Sequence, residues 1–234
     1  MKILVLEPGA WGITLGILLS KRHKLSFWYE KPSLASKISR LRENERLPGV
    51  KIPEKILVSS KLEKVIDNQD LVIVASPSFN FRRTLSKLKN FKNLPPLLGI
   101  AKGIEKETLM LPSQIVQNVL GRHPYSHLSG PGFAEEIIKG KKAKEVIASK
   151  DACLLEKLKK IFQIANFDIS FTRDLIGLQL AGALKNVFSI GIGLIEAKNP
   201  IPAPKKTKFF LFRLCIKEMI KIGKRLGAEA KTFG

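Results

Sequence analysis

The chain has 234 residues, 44% of them hydrophobic, with 41 Lys and Arg against 20 Asp and Glu, a formal net charge of +21. That length suits one large domain or two smaller ones, and the apolar content excludes a disordered chain. The lysines are dispersed and no aromatic residues alternate with a basic patch, so the charge is read as a solvated surface rather than a nucleic-acid or membrane footprint.

From the N-terminus, short apolar runs alternate with helical patterns, the signature of βαβ units around a parallel sheet. Strands are predicted over 3–6, 25–29, 71–75, 97–101, 125–128, 146–149 and 168–171. Helices are predicted over 11–20, 32–43, 79–89 and 154–162. A strand that is apolar at every position, such as "LVIVA" (71–75), is expected to be buried on both faces.

"KILVLEPGAWGITLG" (2–16) joins the first strand to the first helix through a glycine-rich turn. Gly9 and Gly12 occupy the second and third glycine positions of a G-x-G-x-x-G dinucleotide loop, and Glu7 occupies the first. In such a loop the second glycine lets backbone approach a pyrophosphate and the third lets helix pack on strand, while the helix N-terminus faces the phosphates. A carboxylate in this turn opposes an anionic ligand unless it points away. Glu30 ends the second strand, 18 residues beyond Gly12, near the spacing at which an acid receives the adenosine ribose hydroxyls. That favours NAD over NADP, with Lys31 offsetting part of the repulsion towards a 2′-phosphate.

After residue 172 the pattern changes. "DLIGLQLAGALKNVFSIGIGLIEA" (174–197) is a long apolar helix and "KKTKFFLFRLCIKEMIKIGKRLG" (205–227) a second, separated by the breaker "NPIPAP". Residues 1–172 are therefore assigned to an α/β dinucleotide-binding domain and 173–234 to a helical one. The first helix is near the length a bilayer needs, but Gln179, Lys185 and Asn186 interrupt it, and one lysine at mid-bilayer costs about 3 kcal/mol. It is read as a buried core helix. The second is read as an amphipathic helix packed on its own domain, with a membrane-surface helix as the alternative.

Lys185 stands inside an apolar helix. Burial would lower its pKa and make it a proton carrier; a lysine snorkelling out of a core helix fits the same pattern. Lys102 follows the 97–101 strand, at the edge where open α/β sheets bind ligands, and suits an anionic substrate. His23, His123 and His127 show no metal-ligand spacing, so no metal is assigned. Cys153 and Cys215 are read as buried thiols of a reducing compartment, and the N-terminal strand meets a turn too soon for a secretory leader. The cytoplasm is the expected location.

Several stretches, in order, carry a family resemblance: "GAWG" (9–12), "LPGVKIPE" (47–54), "DLVIVASPS" (70–78), "AKGIE" (101–105), "SGPGFAEE" (129–136), "GALKN" (182–186) and "FRLCIKEM" (212–219). With them the chain resembles the bacterial NAD(P)-dependent glycerol-3-phosphate dehydrogenases. The resemblance implies a Rossmann-type N-terminal domain, a helical C-terminal domain and a homodimer. It also implies reversible hydride transfer between sn-glycerol 3-phosphate and dihydroxyacetone phosphate, supplying glycerophospholipid synthesis. It makes Lys185 the general acid/base and brings Lys102 to both cofactor and substrate. Gly9, Ala10, Trp11, Gly12, Glu30 and Ala134 then fall on the cofactor side, and Gly130 and Gly132 on the substrate side.

Three departures stand out. Glu7 replaces a glycine, and Gly132 replaces the family's usual Ser or Thr. The family also continues past "GAEAKTFG" into a G-x-G-D turn and an Arg-Asn pair, so the helical region is expected to be an incomplete, C-terminally truncated version. The alternative function is a nucleotide-binding or interaction module with impaired catalysis.

Overall fold

The computed structural model describes residues 1–164, 167–198 and 205–233. The breaker "NPIPAP" lies outside the described residues. Eight strands form one sheet: β1 (Lys2–Leu6), β2 (Lys24–Trp28), β3 (Leu57–Ser59), β4 (Leu71–Val74), β5 (Leu97–Gly99), β6 (Tyr125–Ser129), β7 (Ala143–Ala148) and β8 (Phe167–Thr172). Their order across the sheet is β3-β2-β1-β4-β5-β6-β7-β8. All neighbours are parallel except β6 and β7. The expected Rossmann-type arrangement is therefore present, with one antiparallel step near its end.

The helices in chain order are α1 (Ala10–Leu19), α2 (Pro32–Leu41), α3 (Phe81–Ser86), α4 (Pro112–Leu120), α5 (Ala134–Ile138), α6 (Ala152–Ile161), α7 (Leu175–Lys198) and α8 (Lys205–Arg225). The central strands explain why two apolar layers form. In β1, Ile3 and Val5 join the core shared with Ile13, Leu15 and Ile38, while Leu4 and Leu6 join the opposite core with Phe81, Leu85 and Ile115. Successive side chains point to opposite faces, so an all-apolar strand serves both layers. Full burial of one such side chain contributes about 1.5–3 kcal/mol.

Four details depart from the sequence reading. β3 joins the sheet as a three-residue edge strand, too short to show a period. The 79–89 segment starts as a 3-10 turn (Ser78–Asn80) and is α-helical only over Phe81–Ser86. α7 is not a uniformly buried core helix: Leu175, Leu178 and Leu180 are buried, whereas Val187, Ile190 and Leu194 are exposed. By length and composition Leu175–Ala197 also meets the requirement for crossing a bilayer. Finally, Cys153 is exposed and Cys215 half-buried; Cys153 sits in the solvated first turn of α6.

Two anchors fix α7. Gln179 accepts a hydrogen bond from the Ser113 backbone N–H (2.8 Å) and donates to the Ser113 hydroxyl (3.0 Å), docking α7 on α4. Asp174 accepts from the Gly177 N–H with one oxygen, and from the Glu229 N–H and Thr232 hydroxyl with the other. A smaller core of Leu111, Leu180, Met219, Ala228 and Phe233 closes this end.

Candidate active site

The glycine-rich turn lies between β1 and α1, where β1 separates β2 from β4 in the sheet. Glycine is needed here by contact. A Cβ on Gly12 would stand 2.7 Å from the Ala75 Cβ and 3.0 Å from the Pro8 Cβ, so α1 could not lie this close to the sheet. On Gly9 it would meet the Arg46 guanidinium at 3.4 Å. The first-turn N–H groups of α1 lack intrahelical partners and suit an anion.

Glu7 occupies a left-handed backbone conformation, φ 51°, which explains why glycine suits this position. Its carboxylate is turned out of the loop and accepts the backbone N–H of Glu30, while its own N–H donates to the Trp28 carbonyl. The acid thereby ties β1 to the end of β2. Beside it a cavity of about 550 Å³ is lined by Glu7, Pro8, Tyr29, Arg46, Phe79 and Asn80, among others. Tyr29 is buried, donates to the Pro8 carbonyl at 3.2 Å, and has its hydroxyl pushed above the usual tyrosine range by desolvation.

Glu30 lies beside this turn, as expected, but its carboxylate is engaged. Arg83 of α3 and Lys87 just after it each contact it at 2.9 Å. Hydrogen bonds from Arg83, then Lys87, hold it below the usual carboxylate range. The charge that argued against a 2′-phosphate is thus countered by two cations from a different element, not by Lys31.

The lysines meet at the next group of strand ends. Lys102 follows β5 and donates to the Gly130 carbonyl at 2.8 Å; Lys185 of α7 reaches the same oxygen at 3.4 Å. α7 comes close because residue 182 is glycine: a Cβ there would stand 2.6 Å from the Ser129 hydroxyl and 3.8 Å from Lys102 Cγ. The segment carrying Lys102 is held by Arg82, whose guanidinium grips Glu105 through two bonds of 2.9 and 2.7 Å. The expectation of a dry Lys185 is corrected. Lys185 is half-buried, as is Lys102, and burial, with the Lys185 charge, pushes the Lys102 amine below the usual lysine range.

The 130–132 turn joins both halves. Trp11 Nε1 donates to the Gly132 carbonyl at 2.9 Å, and the Thr14 hydroxyl contacts the Ala134 carbonyl at 3.4 Å, linking α1 to the start of α5. Ala10 begins α1, and Ala134 is buried at the start of α5. Gly132 donates its N–H to Glu145 Oε1 at 2.9 Å. Glu145 on β7 is 1% exposed, and the sequence reading missed it because it began this strand at Val146. The available signal was a lone acid on the face shared with Ala143 and Ile147. Arg46, Arg83 and Lys87 were also missed, since their roles depend on tertiary approach. Behind Lys102, His127 is fully buried beside Tyr125 (2.9 Å), and desolvation, then Lys102, lowers its pKa to about 3. Among the described residues no group of three His, Cys, Asp or Glu side chains is placed to hold a metal ion.

Two family descriptions match: "NAD-dependent glycerol-3-phosphate dehydrogenase N-terminus" over residues 2–154 and the corresponding C-terminus over residues 174–234. The chain belongs to this dehydrogenase family. Glycerol-3-phosphate dehydrogenases [NAD(P)+] of Dechloromonas aromatica and Fusobacterium nucleatum are 33% and 34% identical to it over its whole length, and it spans 70% of theirs. The fold is similar to that of the Coxiella burnetii glycerol-3-phosphate dehydrogenase, with a TM-score of 0.86 at 22% identity over 99% of this chain and 71% of that one. The Plasmodium falciparum enzyme gives 0.86 at 25% identity, covering 96% and 66%. The family is an NAD(P)-linked oxidoreductase family.

Proposed function

We propose that this chain catalyses reversible hydride transfer between sn-glycerol 3-phosphate and dihydroxyacetone phosphate, with NAD or NADP, for glycerophospholipid synthesis in the cytoplasm. The observation that carries this reading is the convergence of Lys102 and Lys185 on one carbonyl oxygen, that of Gly130.

The residues present fit the cofactor: Gly9, Ala10, Trp11 and Gly12 would hold it at the β1–α1 turn, where the bare Gly12 lets α1 lie against the sheet, with Glu30 and Ala134 at its borders. When bound, the nicotinamide supplies or accepts the hydride. Residues 1–172 would hold that group, and Lys185 comes from residues 173–234. Lys185 gives a proton to the C2 oxygen as dihydroxyacetone phosphate is reduced, and takes it back in oxidation. Lys102, whose amine is partly desolvated, orients the substrate oxygen and balances its developing charge. Gly130 and Gly132 present backbone to the substrate.

Exposed Val187, Ile190 and Leu194 on α7 and Phe209, Phe210 and Phe212 on α8 support a homodimer that covers them. NADH oxidation with dihydroxyacetone phosphate, with Lys185→Ala as control, tests the reading. Turnover that survives Lys185→Ala overturns the assignment of the base.

A further inference from the structure

Glu145 is a buried charged group that the proposed mechanism leaves unused. One carboxyl oxygen accepts the Gly132 N–H at 2.9 Å. The other has no hydrogen-bond partner and is shut off from solvent. That second oxygen lies 2.2 Å from where a Cβ on Gly130 would stand, and the first lies 2.4 Å from the Cβ position of Gly132. Both glycines of the turn are therefore packed against this one carboxyl group. Neither could carry a side chain without displacing it.

We propose that Glu145 is a positioning residue: it clamps the 130–132 turn and acts as counter-charge to the lysine pair on the Gly130 carbonyl, and residue 132 is glycine because this carboxyl fills the space. The proposal rests on the functional reading above for its relevance to turnover, but its geometry stands without it. A buried carboxylate costs several kcal/mol unless it is paired, and a half-satisfied one needs a reason to persist.

The charges facing Glu145 supply that reason. Burial pushes its carboxyl above the usual range, while Lys102 from the segment after β5 and Lys185 from α7, both bonded to the Gly130 carbonyl of the turn it packs against, favour its ionised form. His127 of β6 faces Lys102 from behind and is held neutral by desolvation. The parts of α1 and α5 that meet the turn carry Trp11, Thr14 and Ile137, none of them titratable. In return, Glu145 favours the ammonium form of Lys102 against burial and against Lys185. Two neighbouring amines in a desolvated pocket would otherwise compete for protonation.

Glu145→Gln keeps the acceptor for Gly132 and removes the charge. Competitive acetylation with acetic anhydride across a pH series, read at Lys102 by mass spectrometry, follows the amine without requiring turnover. The expected result is a Lys102 midpoint lowered by at least half a pH unit, a threefold change in proton affinity, with unchanged thermal stability at pH 7. An unchanged midpoint overturns the counter-charge. A shifted midpoint in a chain that never oxidises NADH keeps this inference and removes the functional one. The space-filling part is read separately. Gly132→Ser is expected to lower the melting temperature by several degrees, and Gly132→Ser with Glu145→Val to recover most of that loss. Strict additivity of the two substitutions overturns it.

Discussion

Lys102 and Lys185 come from elements far apart in the chain, yet both ammonium groups point at the carbonyl oxygen of Gly130, at 2.8 and 3.4 Å. A neutral acceptor between two cations is a weak substitute for an anion. A bound substrate oxygen or phosphate offers both lysines a stronger partner. Lys185→Ala is expected to lower kcat by about 10²–10⁴-fold, the range of positioned acid–base catalysis, while NADH affinity stays within twofold. Stopped-flow turnover and fluorescence titration of NADH check the two halves of this statement.

Lys102→Met is expected to raise KM for the triose phosphate more than it lowers kcat, because Lys102 holds charge rather than carrying the proton. Its amine is depressed in the fold, so the folded state binds fewer protons than the unfolded chain over the window below the ordinary lysine value. Stability is then gained as pH rises through that window and is lost as pH falls through the folded value. In Lys102→Met this dependence flattens. Denaturant unfolding between pH 7 and 10.5 checks it.

His127 gives the acid-side counterpart. The neutral imidazole is built into the core, with its pKa near 3 against 6.5 when unfolded. Its contribution is fully present above pH 6.5 and declines as pH falls towards 3, at up to about 1.4 kcal/mol per pH unit. His127→Asn, which keeps an acceptor for Tyr125, is expected to flatten the unfolding midpoint between pH 6 and 4. Parallel curves for the two proteins contradict this.

Glu7 is held away from the phosphate cradle by the Glu30 N–H, but its charge remains beside it. Glu7→Gln is expected to tighten NADH binding several-fold at low ionic strength, with the gain vanishing in high salt. Glu7→Ala keeps the left-handed backbone and leaves that N–H without its partner. It is expected to cost about 1 kcal/mol in unfolding free energy. Isothermal titration and denaturation measure the pair.

Arg83 of α3 and Lys87 just after it pair with Glu30. The wild-type chain is therefore expected to bind NADH and NADPH within about tenfold of each other, since the carboxylate alone no longer decides. Arg83→Ala with Lys87→Ala frees Glu30 and is expected to weaken NADPH selectively, by at least tenfold in Kd relative to NADH.

The chain order of these parts was legible from its residues. β1, the glycine turn and α1 announce themselves because apolar period, turn and helix agree locally. β3 and α5 did not, having only three and five residues, too few for a period to register. Lys102 and Lys185 were singled out through the motifs that carry them, but Lys185 was expected to be dry and is half-buried. An apolar helix does not reveal which of its turns the rest of the fold covers. Glu145 escaped because a single acid on one strand gains meaning only when Gly130, Gly132 and two lysines arrive from elsewhere. Arg83 and Lys87 escaped for the same reason: no spacing along the chain tells that α3 will face the end of β2.

Asp174 closes the helical part at its base, bonding the start of α7 with one oxygen and residues 229 and 232 with the other. Asp174 and Thr232, 58 positions apart along the chain, are thus fastened by a single carboxylate. Release of that fastening would unseat the return leg and the outgoing helix together, so the angle at which Lys185 enters the cleft depends on a residue that never approaches it.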